Sequence, residues 1–318
     1  MASYTLLNED QPVPQAWFDA QADQSQGKPH QQAALATLKS FHDEYIKILK
    51  SYHDGNLTAG EAANMITRPI STSPVPELGD YSDHATALCR LWRLLVRALI
   101  EWPSSRTPDL VSLLTAISRV PDNIHRGEVF DDTANDVDKP LTWRSLPWLI
   151  MVWSDKHWMQ PGMITRRAPD EATRHRVRDI YIKREDVAAQ LVAAGLFQWK
   201  LAYQYLINAL ERKPGEQDRV EAAGDGEADG QLKMDFHIPA ATRWIKHNGR
   251  KLYEGLVKDE LRDWNARDTP SVALQFEQSI DRWVFWKNRF AEIQRDETDE
   301  FTRRAAGVAV GLMEEVQH

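Results

Sequence analysis

Apolar side chains recur every three or four residues along most of this chain, which is the spacing of one face of an α-helix. A clear run is Leu38, Phe41, Tyr45, Leu49 and Tyr52. No stretch alternates apolar and polar residues as a half-buried strand does. The pattern therefore predicts an all-α fold, a single large multi-helix domain with an aromatic-rich core. The predicted helices cover approximately residues 29–53, 58–66, 82–102, 107–120, 147–159, 169–183, 185–212, 239–264, 269–290 and 299–316.

The helix predicted at 239–264 carries one polar residue in its apolar face. That face consists of Ala241, Ile245, Asn248, Leu252 and Leu256. A buried asparagine must be hydrogen-bonded. Asn248 therefore either holds a neighbouring segment in place or offers its amide to a ligand. Trp244 lies one turn earlier, and Gly249 permits close approach of another element.

The last predicted helix, 299–316, has an apolar stripe of its own. The stripe consists of Phe301, Ala305, Val308, Leu312 and Val316. The sequence therefore predicts an amphipathic helix over these residues.

Proline, glycine and charge mark the segments between the helices. Residues 1–28 are polar and predict a flexible N-terminal arm, with Trp17–Phe18 as an anchor, ahead of a helical domain at 29–318. Residues 67–79 contain three prolines and predict a loop. The acidic, glycine-containing stretch at 214–234 predicts a mobile loop.

Composition narrows the classes of partner. The net charge is −8, and an acidic chain repels nucleic acid and anionic membrane surfaces, so no nucleic-acid partner is expected. No run reaches the ~18 apolar residues of a membrane span. Cys89 is the single cysteine and lies in an apolar helix, which indicates a buried thiol in a reducing compartment. We expect a soluble cytoplasmic protein.

Two acidic stretches resemble metal-binding motifs without completing them. "DGEADGQLKMDF" at 225–236 imitates a calcium loop, but Phe236 stands where the bidentate carboxylate belongs. "FDDTAND" at 130–136 is similar to the acidic motif of terpene synthases, but it lacks an apolar stripe and a second motif. No metal and no cofactor are therefore expected. The basic segment 166–184 fits a solvated helix face, or a site for phosphate or an acidic partner.

The candidate site residues are few. His157, two residues after Asp155 in "WSDKHW", is the best acid–base candidate, so Asp155 and His157 are the candidate catalytic residues. The candidate ligand-binding residues are Trp153, Trp244, Asn248 and Trp283. They follow from the twelve tryptophans, which predict either a large aromatic core or a wall of rings around an apolar ligand.

Three stretches together resemble a known family. "DFHIPAATRWIKHNGRKLYE", "SIDRWVFWKNRF" and "LWRLLVRALIEWP" are similar to a family of filamentous-ascomycete proteins of unknown function, over residues 30–316. The resemblance implies an all-helical fungal intracellular protein. It carries over no catalytic residue, and the acidic insert at 214–234 is particular to this member.

Two hypotheses of function follow. The first is an apolar small-molecule-binding protein or a cofactor-free enzyme of fungal secondary metabolism. Such an enzyme would catalyse a cyclisation, pericyclic reaction or isomerisation by folding its substrate in a tryptophan-lined pocket. The second is a non-enzymatic helical interaction or scaffold protein with a protein partner. An enclosed aromatic cavity would favour the first, and a packed core with an exposed apolar patch would favour the second.

Overall fold

Helices dominate the residues that the computed structural model describes. These residues are 4–22, 32–72, 81–121, 123–125, 141–157, 161–166, 168–211, 233–260 and 276–317. Within these ranges the predicted all-α fold with an aromatic-rich core is confirmed. The chain divides into two compact units, Met1–His157 and Trp158–His318, a boundary that the hydrophobic pattern did not indicate. None of the described helices has the length and apolar character needed to cross a membrane.

Unit 1 is built mainly from helices. Its described helices are α1 (Gln15–Ala22), α2 (Gln32–His53), α3 (Ala59–Thr72), α4 (Tyr81–Glu101), α5 (Thr107–Ser118) and α6 (Leu149–His157). Two short antiparallel strands, β1 (Asn123–His125) and β2 (Leu141–Thr142), pair between α5 and α6. The sequence analysis missed these strands because two or three residues are too few to show an alternation.

Helix α3 is longer than predicted. It begins after the capping box of Thr58 and Glu61, in which each side chain accepts a hydrogen bond from the backbone N–H of the other residue. It then continues through Pro69 to Thr72, so the predicted loop at 67–79 was wrong at its start. Ile66 and Ile70 are both fully buried, and this packing outweighs the helix-breaking tendency of the proline.

The N-terminal residues 4–22 pack against the end of α4, where the sequence analysis expected a flexible arm. The buried Glu101 carboxylate accepts hydrogen bonds from the Thr5 backbone N–H at 3.1 Å and from Trp17 Nε1 at 2.7 Å. The Leu7 N–H donates to the Glu101 carbonyl oxygen at 2.8 Å. The partners lie more than eighty positions apart in the chain, so local sequence could not show this attachment.

Unit 2 contains the remaining helices. Its described helices are α7 (Pro161–Arg166), α8 (Glu171–Ala193), α9 (Lys200–Leu206), α10 (Met234–Val257), α11 (Asp281–Asp296) and α12 (Glu300–Gln317). A π-helical turn, Ile207–Glu211, extends α9. The predicted acidic loop at 214–234 lies outside the described residues except for its last two positions.

Two helix boundaries in unit 2 differ from the prediction. Residues 171–193 form one helix, and the break falls at Gly195, whose φ of 75° suits a glycine helix end, rather than near residue 184. Helix α10 begins at Met234 and includes Pro239, which was predicted to open it. Pro239 is buried close to the helix start, where the missing N–H costs a single backbone hydrogen bond.

Helix α10 is central to unit 2, and α8 and α12 pack on it in parallel directions. The contacts that show these directions are Arg174–Asp235 and Asn248–Ala189 between α8 and α10, and Thr242–Ala305 and Gly249–Val316 between α10 and α12. Helix α11 runs antiparallel to α12, since Lys287 bonds Gln317 and Gln294 lies against Gly307. Three parallel helices and one antiparallel helix thus enclose the core of this unit.

We predict that Gly255→Ala destabilises the protein. A Cβ at Gly255 would overlap the buried Tyr203 hydroxyl, which donates to the Leu252 carbonyl at 2.6 Å. Displacing a packed ring typically costs about 1–3 kcal/mol of unfolding free energy. Gly311→Ala is the matched control, because a Cβ there meets nothing within 4 Å. It should stabilise α12 by up to about 1 kcal/mol. Urea denaturation curves measure both changes, and equal stability of the two variants would contradict the prediction.

Candidate functional site

The structure divides the six predicted site residues between the two units. Trp153, Asp155 and His157 lie on α6 of unit 1, whereas Trp244 and Asn248 lie on α10 and Trp283 on α11 of unit 2. The sequence analysis named Asp155 and His157 as candidate catalytic residues and the other four as candidate ligand-binding residues. The local surroundings of each group decide what it can do.

Asp155 and His157 do not form an acid–base pair in the structure. Residues two apart on a helix point about 200° apart, and the two side chains have no hydrogen bond to each other among the described residues. His157 Nε2 lies 3.2 Å from the Tyr4 hydroxyl, and its ring packs edge-on at 4.3 Å from the Trp153 ring. Asp155 is exposed. These contacts place His157 in a packing role that holds the N-terminal segment.

Most of the described tryptophans are buried, and five of their N–H groups bond to other helices or loops, whereas the buried Trp283 Nε1 has no hydrogen-bond partner among the described residues. The indole N–H groups of Trp17, Trp92, Trp143, Trp244 and Trp286 donate to Glu101, the Pro147 carbonyl, Ser71, Glu185 and Glu211. A buried indole with its N–H satisfied within the protein has no polar group left to offer a ligand. This geometry supports the core interpretation of these residues.

Three of these tryptophans share one arrangement, which we call the Arg–Glu–Trp triad. In each triad a buried glutamate accepts hydrogen bonds from an indole N–H and from an arginine. The triads are Arg97–Glu101–Trp17, Arg184–Glu185–Trp244 and Arg282–Glu211–Trp286. Burial raises the pKa of Glu211, while the Arg282 charge and the Trp286 bond lower it. Each triad links two separate elements through a charged group that could not be buried alone.

Asn248 has a structural hydrogen bond. Its Nδ2 donates to the Ala189 carbonyl at 2.9 Å and so ties α10 to α8. Its Oδ1 is buried and has no hydrogen-bond partner among the described residues. A Cβ at the adjacent Gly249 would lie 3.4 Å from Val316 and 3.8 Å from Trp283, which shows the close approach of α12 and α11.

A polar cluster that the sequence analysis missed surrounds Trp244. We call it the Tyr181 cluster, and its members are Tyr181, Arg184, Glu185, Tyr205, His237 and Trp244. Arg184 donates twice to Glu185 Oε1, at 3.0 and 2.7 Å, and its guanidinium lies 4.3 Å from the Tyr181 ring centre. The basic segment 166–184 is therefore not a solvated face at its end. Tyr181, Arg184, Ala188 and Leu191 are spaced at three and four residues, so Arg184 lies on the apolar side of α8. The sequence analysis overlooked this spacing, which would have indicated that Arg184 is buried.

Hydroxyl and imidazole groups continue this cluster. The Tyr181 hydroxyl lies 3.1 Å from the Tyr205 hydroxyl and 3.4 Å from His237 Nδ1. Burial raises the pKa of Tyr205 well above its usual value. Burial, followed by the Arg184 charge, lowers the pKa of His237 to about 4. At neutral pH His237 is thus uncharged. The cluster could pass a proton between its members, but Phe236, Ala240 and Ile164 pack around it.

Three open grooves on the described surface do not match an apolar ligand site. One groove lies at the N-terminal ends of α8, α10 and α12 and has charged walls that include Arg174, Arg178, Asp235 and Asp299. A second lies between α3 and α5, and a third between α1 and α2. Tryptophan lines none of these three. No group of three or more His, Cys, Asp or Glu residues suited to a metal ion occurs in the described ranges. The segment 130–136 and most of 225–236 lie outside those ranges.

Two residues of the apolar stripe predicted on α12 are exposed, whereas its last member, Val316, packs against Gly249 of α10. Helix α12 buries Thr302, Ala306, Ala309 and Met313. Phe301 is 44% exposed and Val308 is 57% exposed, while Ala305 and Leu312 are partly exposed. We call Phe301, Ala305, Val308 and Leu312 the α12 stripe.

The fold and these sites define a class of protein, all-helical with a hydrogen-bonded aromatic core and an exposed apolar stripe. The chain belongs to the family described as "Protein of unknown function (DUF3632)", whose sequence model matches residues 92–290, more than half of the chain. Neither the curated proteins nor the solved structures contain a significant match.

We predict that Asn248→Leu lowers the unfolding free energy by about 1–3 kcal/mol, because it removes the bond to Ala189 from a buried setting. Asn288→Leu on the exposed side of α11 is the control and should change stability by less than about 0.5 kcal/mol. The measurement is a denaturation curve beside a tryptophan-quenching titration with apolar metabolites. Unchanged stability with lost quenching would assign Asn248 to a ligand instead.

We predict that His237 makes stability depend on pH between about 6.5 and 4. Its pKa is about 4 in the folded protein and near 6.5 when unfolded, so the unfolded state takes up the proton first as the pH falls. Above pH 6.5 the neutral His237 makes its full contribution to the unfolding free energy. This contribution, on the order of 3 kcal/mol, is lost as the pH falls through about 4. His237→Gln should remove this part of the pH dependence, whereas His175→Gln at an exposed position should not. Parallel curves for His237→Gln and the wild type would contradict the burial of a neutral imidazole.

Proposed function

We propose that this chain is a non-enzymatic helical interaction protein that docks a protein partner on the α12 stripe. The observation that carries the proposal is the exposure of Phe301 and Val308 on a helix that already buries Thr302, Ala306, Ala309 and Met313. Contiguous exposed apolar residues rimmed by polar ones are typical of interaction sites. Cys89 as the single cysteine fits a reducing compartment, so we include the cytoplasm in the proposal.

The dimensions of the α12 stripe suit a helical partner. Phe301 to Leu312 covers three turns of helix, or about 16 Å. Partners that bind as helices use anchors spaced at three, four and seven residues, and a stripe with the same spacing offers matching contacts. The family match ends at Phe290, before α12 begins, so family membership carries no information about this surface.

The tryptophan core argues against a ligand-lined interior. The three Arg–Glu–Trp triads fix Trp17, Trp244 and Trp286 by hydrogen bonds to buried glutamates. Moving any of these rings aside to admit a ligand would leave a buried carboxylate without its indole partner, which is costly. This supports the interaction role over the pocket role.

A second candidate function rests on a different observation. The buried Asn248 Oδ1 has no hydrogen-bond partner within the described residues, and a ligand hydroxyl could supply one. This favours an apolar small-molecule-binding protein or cofactor-free enzyme of fungal secondary metabolism. Native mass spectrometry of the protein purified from its source tests it, since a retained metabolite lost in Asn248→Leu would support this candidate.

We predict that Val308→Asp abolishes docking, because it places a charge in the middle of the α12 stripe. Val284→Asp on α11 is the matched control, since Val284 is 50% exposed and lies outside the stripe. A photocrosslinking residue at position 308 or 284 of the full chain, used in cells of the source organism, identifies the partner. The purified partner is then titrated against the wild type and both variants.

We expect an adduct specific to position 308, a loss of affinity of at least about tenfold in Val308→Asp, and no change in Val284→Asp. Both variants should keep the wild-type melting temperature, because each side chain is largely exposed. Adducts that are equal at the two positions, or affinity that survives Val308→Asp, would contradict the proposed function.

A further inference from the structure

Helix α10 presents a row of cations on its exposed side. Arg243, Lys246 and Arg250 are spaced at three and four residues, so they lie along one line of the helix, and all three are exposed. We call them the α10 basic row. These three aligned charges form a positive patch on a chain whose net charge is −8.

The helical phase puts this row beside the α12 stripe. Helix α10 touches α12 through Thr242, whose hydroxyl donates to the Ala305 carbonyl at 3.0 Å, and through Gly249. Lys246 lies one turn after Thr242 and three residues before Gly249, and so on the same side of α10. Trp244 and Asn248 face α8 instead. The basic row and the stripe therefore border the same outward-facing groove between α10 and α12.

Two charges of the row are open to a partner. Lys246 and Arg250 form no ion pair with the described residues, whereas Arg243 pairs with the Asp186 carboxylate of α8 at 3.9 Å. At the start of the stripe, the Arg178 guanidinium lies 4.6 Å from the Phe301 ring centre. Cations thus follow this side of the groove, with the Asp186 carboxylate of α8 beside Arg243 and the exposed Glu254 one turn after Arg250.

The opposite side of the stripe has mixed charge. Arg304 pairs with Glu300 at 2.6 Å, and Glu315 is exposed near the other end of the helix. A surface that is anionic throughout would meet repulsion from these carboxylates. A partner with acids on one flank meets attraction along α10 without that repulsion.

We propose that the partner is an amphipathic α-helix that lies in the groove between α10 and α12. Its apolar face covers the α12 stripe, and a row of Asp or Glu residues on one flank faces the α10 basic row. This inference rests on the proposed function and adds the chemistry and the orientation of the partner. The apolar contact supplies most of the affinity, whereas the charge pairs set the orientation and the salt dependence.

Two synthetic peptides test the inference on the full-length protein. Both are designed amphipathic helices of about 18 residues with the same leucine face, and one flank carries either glutamates or lysines. Fluorescence anisotropy gives each Kd at roughly 50 and 300 mM salt, concentrations between which the Debye length falls by more than half. We expect the glutamate peptide to bind at least about tenfold more tightly than the lysine peptide at low salt, and to lose this advantage at high salt.

Charge reversal provides the sharper comparison. The triple variant R243E/K246E/R250E should weaken the glutamate peptide at least about tenfold and should strengthen the lysine peptide. Lys251→Glu is the matched control, because Lys251 is exposed on the same helix but lies about 100° beyond Arg250, away from α12. It should change both affinities by less than about twofold, within the range expected of a screened surface charge.

The outcomes separate this inference from the proposed function. If Val308→Asp abolishes binding while the triple variant leaves both affinities unchanged, the acidic-helix inference is wrong and the docking function stands. If neither peptide binds and position 308 forms no specific adduct, both fail. Sedimentation with phosphatidylserine vesicles that depends on the basic row would point to a membrane. A concentration-dependent dimer lost in Val308→Asp would point to a second copy, and either result overturns the inference.

Discussion

The burial of glutamate carboxylates beside tryptophan is the interaction on which much of this structure depends. Glu101, Glu185 and Glu211 are buried charges, and each is held by an arginine and an indole N–H. Removing one partner from such a buried group typically costs several kcal/mol, because the remaining charge stays desolvated. The triads therefore fix the positions of the N-terminal segment in unit 1 and of α8, α10 and α11 in unit 2. They also explain why these tryptophans pack in the core, although their rings are large enough to line a pocket.

The period of apolar residues was sufficient to predict the helices but not their ends. Helix α4 and the start of α5 match the prediction closely, because Pro103 and Thr107–Pro108 separate them by local chemistry. The ends of α3 and α8 were wrong because Pro69 is tolerated where its neighbours are buried, and Gly195 was not recognised as a helix end. Tertiary packing decided the first case. The second was readable from the sequence, since glycine favours the left-handed conformation that ends many helices.

The candidate site was predictable only in part, for a reason of distance along the chain. The local pattern around Asn248 and Gly249 correctly indicated a polar residue in an apolar face and the close approach of another helix. The Tyr181 cluster joins residues from three helices, and no local pattern links Tyr181 with His237 or Tyr205. Asp155 and His157 remain candidates from the sequence alone. They lie two residues apart on α6, so their side chains point about 200° apart.

Helix α12 shows that an amphipathic pattern does not by itself say which face is buried. Helix α12 buries Thr302, Ala306, Ala309 and Met313, and the last member of the predicted stripe, Val316, packs against Gly249 of α10. The absence of a side chain at Gly249 gives Val316 the room for this contact. The larger residues, Phe301 and Val308, then remain on the surface beside the cations of α10. Covering the exposed apolar residues removes them from water and so favours binding. A complex is most stable when the partner matches both the spacing of the stripe and the neighbouring charge.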